Sequence, residues 1–219
     1  MVDVRLNAIV DPERANGRAL DALARQVAAG GATLIQLRDK LGSTRRMVET
    51  ARAIKAALGG TGVPLVINDR VDVALAAQAD GVHVGQDDMR VEDARRLLGP
   101  KAIIGLSIKS VAQANAAPID QLDYVGIGGV YATTSKDNPA PPIGPAGLSA
   151  IVAAFQARKP GFPACGIAGI DATNAAAVIA AGADGVAVIS ALSMQADPAA
   201  AARELRGIVD AALAKRITP

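Results

Sequence analysis

Residues 64–85 read PLVINDRVDVALAAQADGVHVG, and this stretch decides the fold. PLVIND (64–69) is a short, almost unbroken apolar run with branched side chains, the pattern of a strand covered on both faces. Residues 71–78 have helical character, and GVHVG (81–85) is a second short run. A strand, a helix and a strand so close together make a βαβ unit of parallel sheet.

The same alternation extends in both directions. The other strands expected are VRLNAIV (4–10), TLIQLRD (33–39), IIGLSI (103–108), YVGIGGV (124–130), FPACGIA (162–168) and GVAVIS (185–190). Helices are expected over 16–29, 44–58, 71–78, 91–98, 110–116, 146–157, 172–181 and 198–215. Eight strand-then-helix repeats in 219 residues point to one domain, 1–219, folded as an α/β protein: a parallel eight-stranded (β/α)8 TIM barrel. An open, doubly wound sheet is the alternative, because alternation does not say whether the last strand meets the first. Ala79-Asp80-Gly81-Val82 recurs as Ala183-Asp184-Gly185-Val186 before strands four and eight. Each glycine is expected to supply a positive φ that ends a helix.

Hydrophobic residues make up 51% of the chain and aromatics 2%, so the core is built from Ala, Val, Ile and Leu. Basic and acidic residues nearly balance at 23 and 21, with no Trp and no basic block, which argues against nucleic acid. Cys165 and His83 are the sole residues of their types, so an internal disulfide and a Cys/His zinc site are excluded. No apolar run approaches the ~18 residues of a membrane span, and the N-terminus MVDVRLNAIVDPER lacks a leader pattern. A cytoplasmic protein with small-molecule partners is expected, and whether it forms a homo-oligomer is left open.

In such a barrel the chemistry gathers at the carboxyl ends of the strands. Strand two ends in Gln36-Leu37-Arg38-Asp39-Lys40, where alternation puts Gln36, Arg38 and Lys40 on one face; a solvated strand end is the plainer reading. Asn68-Asp69 and Gly85-Gln86-Asp87-Asp88 end strands three and four. Asp69 and Asp88 together would make a hard oxygen site suited to Mg²⁺, although one of the Asp87-Asp88 pair would also serve as N-cap of helix four. Ser107 ends strand five, and Ser110 reads as a helix N-cap. Tyr131-Ala132-Thr133-Thr134-Ser135-Lys136-Asp137 is either a polar surface loop or a set of donors for a phosphate. The Pro-rich segment 137–145 follows it and reads as a mobile functional loop. Gly166-Ile167-Ala168-Gly169 and Val188-Ile189-Ser190 end strands seven and eight, the usual phosphate site of barrels.

In order and spacing, QLRDK, PLVINDR, GVHVGQDD, GLSIKS, TTSKD, GIAGI and GADGVAVISAL resemble the motif series of the thiamine-phosphate synthase family over most of the chain. The resemblance implies Mg²⁺-dependent condensation of hydroxymethylpyrimidine diphosphate with hydroxyethylthiazole phosphate, giving thiamine phosphate and pyrophosphate. It implies that Arg38, Lys40, Asn68 and Lys136 grip the diphosphate, that Asp69 and Asp88 hold Mg²⁺, and that Ser107 lies beside the diphosphate. Gln36 would face the pyrimidine; Thr133, Ser135, Gly169, Ile189 and Ser190 would take the thiazole phosphate. The chain departs from the family pattern with Ala132 where proline is usual and Ala168-Gly169 where Gly-Gly is usual. A thiazole tautomerase on the same barrel is the alternative; such relatives use a histidine after strand five, where this chain has Lys109.

Overall fold

The computed structural model describes residues 1–134 and 141–217. Eight strands, β1 (Leu6–Val10), β2 (Leu34–Leu37), β3 (Leu65–Asn68), β4 (Gly81–Val84), β5 (Ile103–Ile108), β6 (Tyr124–Gly128), β7 (Ala164–Ile167) and β8 (Gly185–Val188), close into a barrel in chain order. Every adjacent pair is parallel, and β8 returns to β1 through Leu6 with Val186, Asn7 with Ala187 and Ala8 with Val188. Closure rules out the open sheet.

Helices α1 (Leu20–Ala29), α2 (Thr44–Ala57), α3 (Val71–Ala77), α4 (Val91–Leu98), α5 (Val111–Ala116), α6 (Gly144–Arg158) and α7 (Ala175–Ala180) each follow one strand. Two follow β8: a single turn, α8 (Ser190–Ser193), and the long α9 (Pro198–Ile217). The sequence pattern does not announce α8, since four residues carry no periodicity. Helix α1 starts later than expected because Pro12–Arg14 forms a separate 3-10 turn and Asn16 and Gly17 adopt φ of 51° and 74°.

Alternation sends Leu6, Ala8 and Val10 outward into the main core between strands and helices, and Asn7 and Ile9 into the barrel. The interior apolar cluster is small: Val4, Ile9, Leu34, Val66, Tyr124, Cys165, Ala187 and Ile189. The side under β4, β5 and β6 is filled instead by His83 and Tyr124 lying over glycines. A Cβ on Gly105 would fall 2.3 Å from Tyr124 Cζ and 2.5 Å from His83 Nδ1, and one on Gly126 would fall 3.1 Å from His83 Cε1.

The amino-end face is tied by one device used four times. The residue entering each even strand accepts the backbone N–H of the preceding odd strand: Thr33 from Leu6 (3.0 Å), Asp80 from Leu65 (2.8 Å), Asp123 from Ile104 (2.8 Å) and Asp184 from Ala164 (3.1 Å). Two of these are the aspartates of the repeated Ala-Asp-Gly-Val, so the repeat has a structural cause. Its glycines do not supply positive φ, which corrects the sequence reading; that conformation belongs to Gln78 (53°) and Gly182 (112°). Gly81 and Gly185 are needed for close approach instead, because a Cβ on either would lie 1.8 Å from a backbone oxygen, Ile103 O or Val4 O.

Candidate active site

Five charged groups gather at the carboxyl ends of β1 to β4. Arg38, just past β2, is ion-paired with Asp11, which is fully buried just past β1. The second carboxylate oxygen of Asp11 accepts the N–H of Glu13 at 2.9 Å and so caps the 3-10 turn. Lys40 is ion-paired with Asp69. Burial lifts the Asp69 carboxyl above the ordinary carboxylate range, the Lys40 ammonium opposes that, and Asp88 alongside lifts it further. Asp69 also holds φ at 62°, a conformation that Asp tolerates better than most residues.

Asp88 is not a helix cap. Its Oδ2 accepts the N–H of Gly85 at 2.7 Å and closes the turn after β4, while Arg90 is the N-cap of α4 and makes no side-chain cap bond; neither Asp87 nor Asp88 caps that helix. Ser110 does cap α5, through the N–H of Gln113 at 3.2 Å. The donor set suits a hard divalent ion: two adjacent carboxylates, one of them raised by burial and by the other beside it. Among the described residues no group of three or more His, Cys, Asp or Glu gathers around one point. Such an ion would complete its shell from water and substrate oxygens, the usual habit of Mg²⁺.

Inside the barrel a polar chain crosses from β2 to β5. Gln36, 3% exposed, lies beside the Tyr124 hydroxyl. That hydroxyl lies 2.9 Å from His83 Nδ1, and His83 Nε2 lies 3.0 Å from Ser107 Oγ. Burial pushes the Tyr124 phenol well above its usual value, so it stays a neutral donor. Asn68 shares this interior face, one strand from His83. Asp11, His83 and Tyr124 were missed as site residues from sequence. The signal that selected Gln36, a polar side chain in an apolar strand, applies equally to His83, and the strand-end filter applies to Asp11.

A cavity of about 610 Å³ opens among the ends of β6, β7 and β8, lined by Thr133, Thr134, Gly169, Ile189 and Ser190 among others. Gly169 at φ 64° lets two loops touch: a Cβ there would sit 2.3 Å from the Ala132 carbonyl oxygen. Its neighbour Ala168 is held at φ 83° although it carries a side chain. Ser135, Lys136 and residues 137–140 of the Pro-rich segment lie outside the described residues. A larger hollow of about 750 Å³ sits at the opposite end of the barrel, between Lys55, Leu75, Asp80 and Lys101, and contains none of the candidate residues.

Fold and mouth together define a class: a (β/α)8-barrel enzyme with its charged and polar side chains collected where the strands end. Residues 6–192 match the family described as thiamine monophosphate synthase. A thiamine-phosphate synthase of Agrobacterium fabrum is 55% identical over 215 residues, 98% of each chain. One from Moorella thermoacetica is 47% identical over 210 residues, 96% of this chain and 98% of that one. A solved structure, the thiamine phosphate pyrophosphorylase of Pyrococcus furiosus, superposes with a TM-score of 0.84 at 36% identity, covering 97% of this chain and 98% of that one. The chain belongs to the thiamine monophosphate synthase family and is a transferase. No helix among the described residues is long and apolar enough to cross a membrane.

Proposed function

We propose that the protein condenses hydroxymethylpyrimidine diphosphate with hydroxyethylthiazole phosphate, with Mg²⁺ at Asp69 and Asp88. The observation that carries this reading is the convergence of Arg38, Lys40, Asp69 and Asp88 on one mouth. The polar chain Gln36–Tyr124–His83–Ser107 opens beneath them, and a separate cavity lies beside it. The pyrimidine sits over the polar chain, against Gln36. Its diphosphate meets Arg38, Lys40, Asn68, Ser107 and Lys136. The thiazole phosphate takes the second cavity, against Thr133, Ser135, Gly169, Ile189 and Ser190.

The bond from the pyrimidine methylene carbon to the diphosphate oxygen breaks, and its electron pair leaves with the diphosphate. The thiazole nitrogen then supplies the pair for the new carbon–nitrogen bond. Arg38 and Lys40 face the oxygen on which charge grows, where preplaced cations lower the barrier. When bound, Mg²⁺ adds Lewis-acid neutralisation of that leaving group. No proton is transferred in either event, so no general base is required, and Tyr124 and His83 serve to hold the ring. Lys109, exposed after β5, stands where the tautomerase reading requires a histidine, and no other observation favours that reading. Asp69→Ala tests the assignment: product formation is expected to vanish while the far-UV circular dichroism is kept, and near wild-type turnover would refute the metal role.

A further inference from the structure

The cavity assigned to the thiazole phosphate has no cation among its described lining residues. Its one charged group is Asp171, whose carboxylate is engaged by the N–H and hydroxyl of Thr173 at 2.8 and 2.6 Å. Backbone N–H groups can hold a phosphate monoester dianion there, but any side-chain positive charge must come from outside the described lining. Two arginines of the segment after β1 hold the rims of this cavity. Arg14 donates to the carbonyl oxygen of Thr134 on the β6 side. Arg18 donates to Ser193 O at 2.9 Å, Gln195 O at 2.7 Å and Ala196 O at 3.2 Å on the β8 side. Thr134 and Gln195 are themselves lining residues. Neither guanidinium takes part in an ion pair among the described residues. Their charges are thus available to the cavity rather than cancelled locally.

The same segment is fixed at its root. Asp11 caps the turn that carries Arg14 and also pairs with Arg38, and the Arg14 N–H donates to Asp11 O at 3.0 Å. The segment 11–18 thus touches the diphosphate side through the Asp11–Arg38 pair and the two rims of the other cavity through Arg14 and Arg18.

We propose that Arg14 and Arg18 are positioning residues for the phosphate monoester: they hold the two rims of the β6–β8 cavity at their working separation and supply it with uncompensated positive charge. This rests on the assignment of that cavity to the thiazole phosphate. Because both act through backbone carbonyls, an ammonium at either place would keep the charge, but at Arg18 it would lose the planar fork that reaches three oxygens.

The test is steady-state kinetics of wild type, Arg14→Gln, Arg14→Lys, Arg18→Gln and Arg18→Lys, with each substrate varied in turn. Both Gln variants are expected to raise the KM for hydroxyethylthiazole phosphate about tenfold or more while the KM for the pyrimidine diphosphate stays within about twofold, the mark of lost binding at one site. Each Lys variant should recover part of that loss. The wild-type KM for the thiazole phosphate should also climb more steeply with salt than that of the Gln variants. If wild type turns over but both KM values move together, or neither moves, the proposal is overturned and the assigned function stands. If a Gln variant fails to fold, its Lys counterpart decides: no KM split there overturns the proposal equally. Wild type that releases no pyrophosphate would sink the functional reading itself, and this inference with it.

Discussion

Gly105→Ala is the substitution for which the structure gives the most definite cost. The new methyl carbon would lie 2.3 Å from Tyr124 Cζ, 2.4 Å from Tyr124 Cε1 and 2.5 Å from His83 Nδ1. Relaxed carbon contacts begin near ~3.5 Å, so the ring must retreat by roughly 1.2 Å. Tyr124 is completely buried, and its hydroxyl is held by His83 at 2.9 Å. Overpacking of this kind costs about 1–3 kcal/mol, and loosening the buried hydrogen bond adds about 1–2 kcal/mol. At about 2–4 °C per kcal/mol for a protein of this size, Tm should fall by on the order of 5–15 °C. Thermal unfolding followed by circular dichroism reads this directly. A double-mutant cycle identifies the cause: in a Tyr124→Ala background the ring contacts are gone and His83, the remaining neighbour at 2.5 Å, can shift into the vacated space, so the methyl's cost should drop below about 1 kcal/mol. A Gly105→Ala protein as stable as wild type, or one that loses the same stability with and without the tyrosine ring, would refute the account of the barrel interior.

Three further outcomes are expected. Ala168→Gly relieves a side chain held at φ 83° and should raise the urea midpoint by about 1 kcal/mol of stability; a lowered midpoint would mean the loop is not strained there. Asp11→Ala strands the part-buried Arg38 guanidinium and uncaps the Glu13 N–H, so unfolding in denaturant should reveal a loss of about 3–5 kcal/mol, with a change under about 1 kcal/mol counting against a buried pair. Cys165 is buried and its thiol is pushed up to about 12, chiefly by burial, so at pH 8 it stays protonated and inaccessible. A disulfide reagent should therefore titrate it only after denaturant is added, and a stoichiometric reaction with the native protein would contradict its placement.

All eight strands are legible in the sequence because a parallel barrel buries both faces, leaving short apolar runs such as those of β3 and β4 at a regular spacing. Closure is not legible, since it depends on β8 pairing with β1 and no local pattern encodes that. The charged strand ends are similarly readable as a set: Lys40, Asp69 and Asp88 do come together, and Arg38 pairs with Asp11 at the neighbouring strand end. Their pairings are not, because whether Arg38 meets Asp11 or Asp69 depends on side-chain reach across the mouth. His83 and Tyr124 look like ordinary strand residues until the register sets them against Gly105 and Gly126. The repeated Ala-Asp-Gly-Val is visible at once, yet its purpose lies in contacts with neighbouring strands. Arg14 and Arg18 carry no signal, since they act on carbonyls more than a hundred residues away.

The central claim is that the mouth accepts charge from a departing diphosphate with the help of a divalent ion held by two carboxylates. The most direct measurement is pyrophosphate released per thiamine phosphate formed, followed as Mg²⁺ is titrated into metal-stripped protein with both substrates present. One pyrophosphate per product, rising from near zero to saturation with added Mg²⁺, is the predicted result. Full turnover in the presence of excess chelator, or product without pyrophosphate, would contradict it.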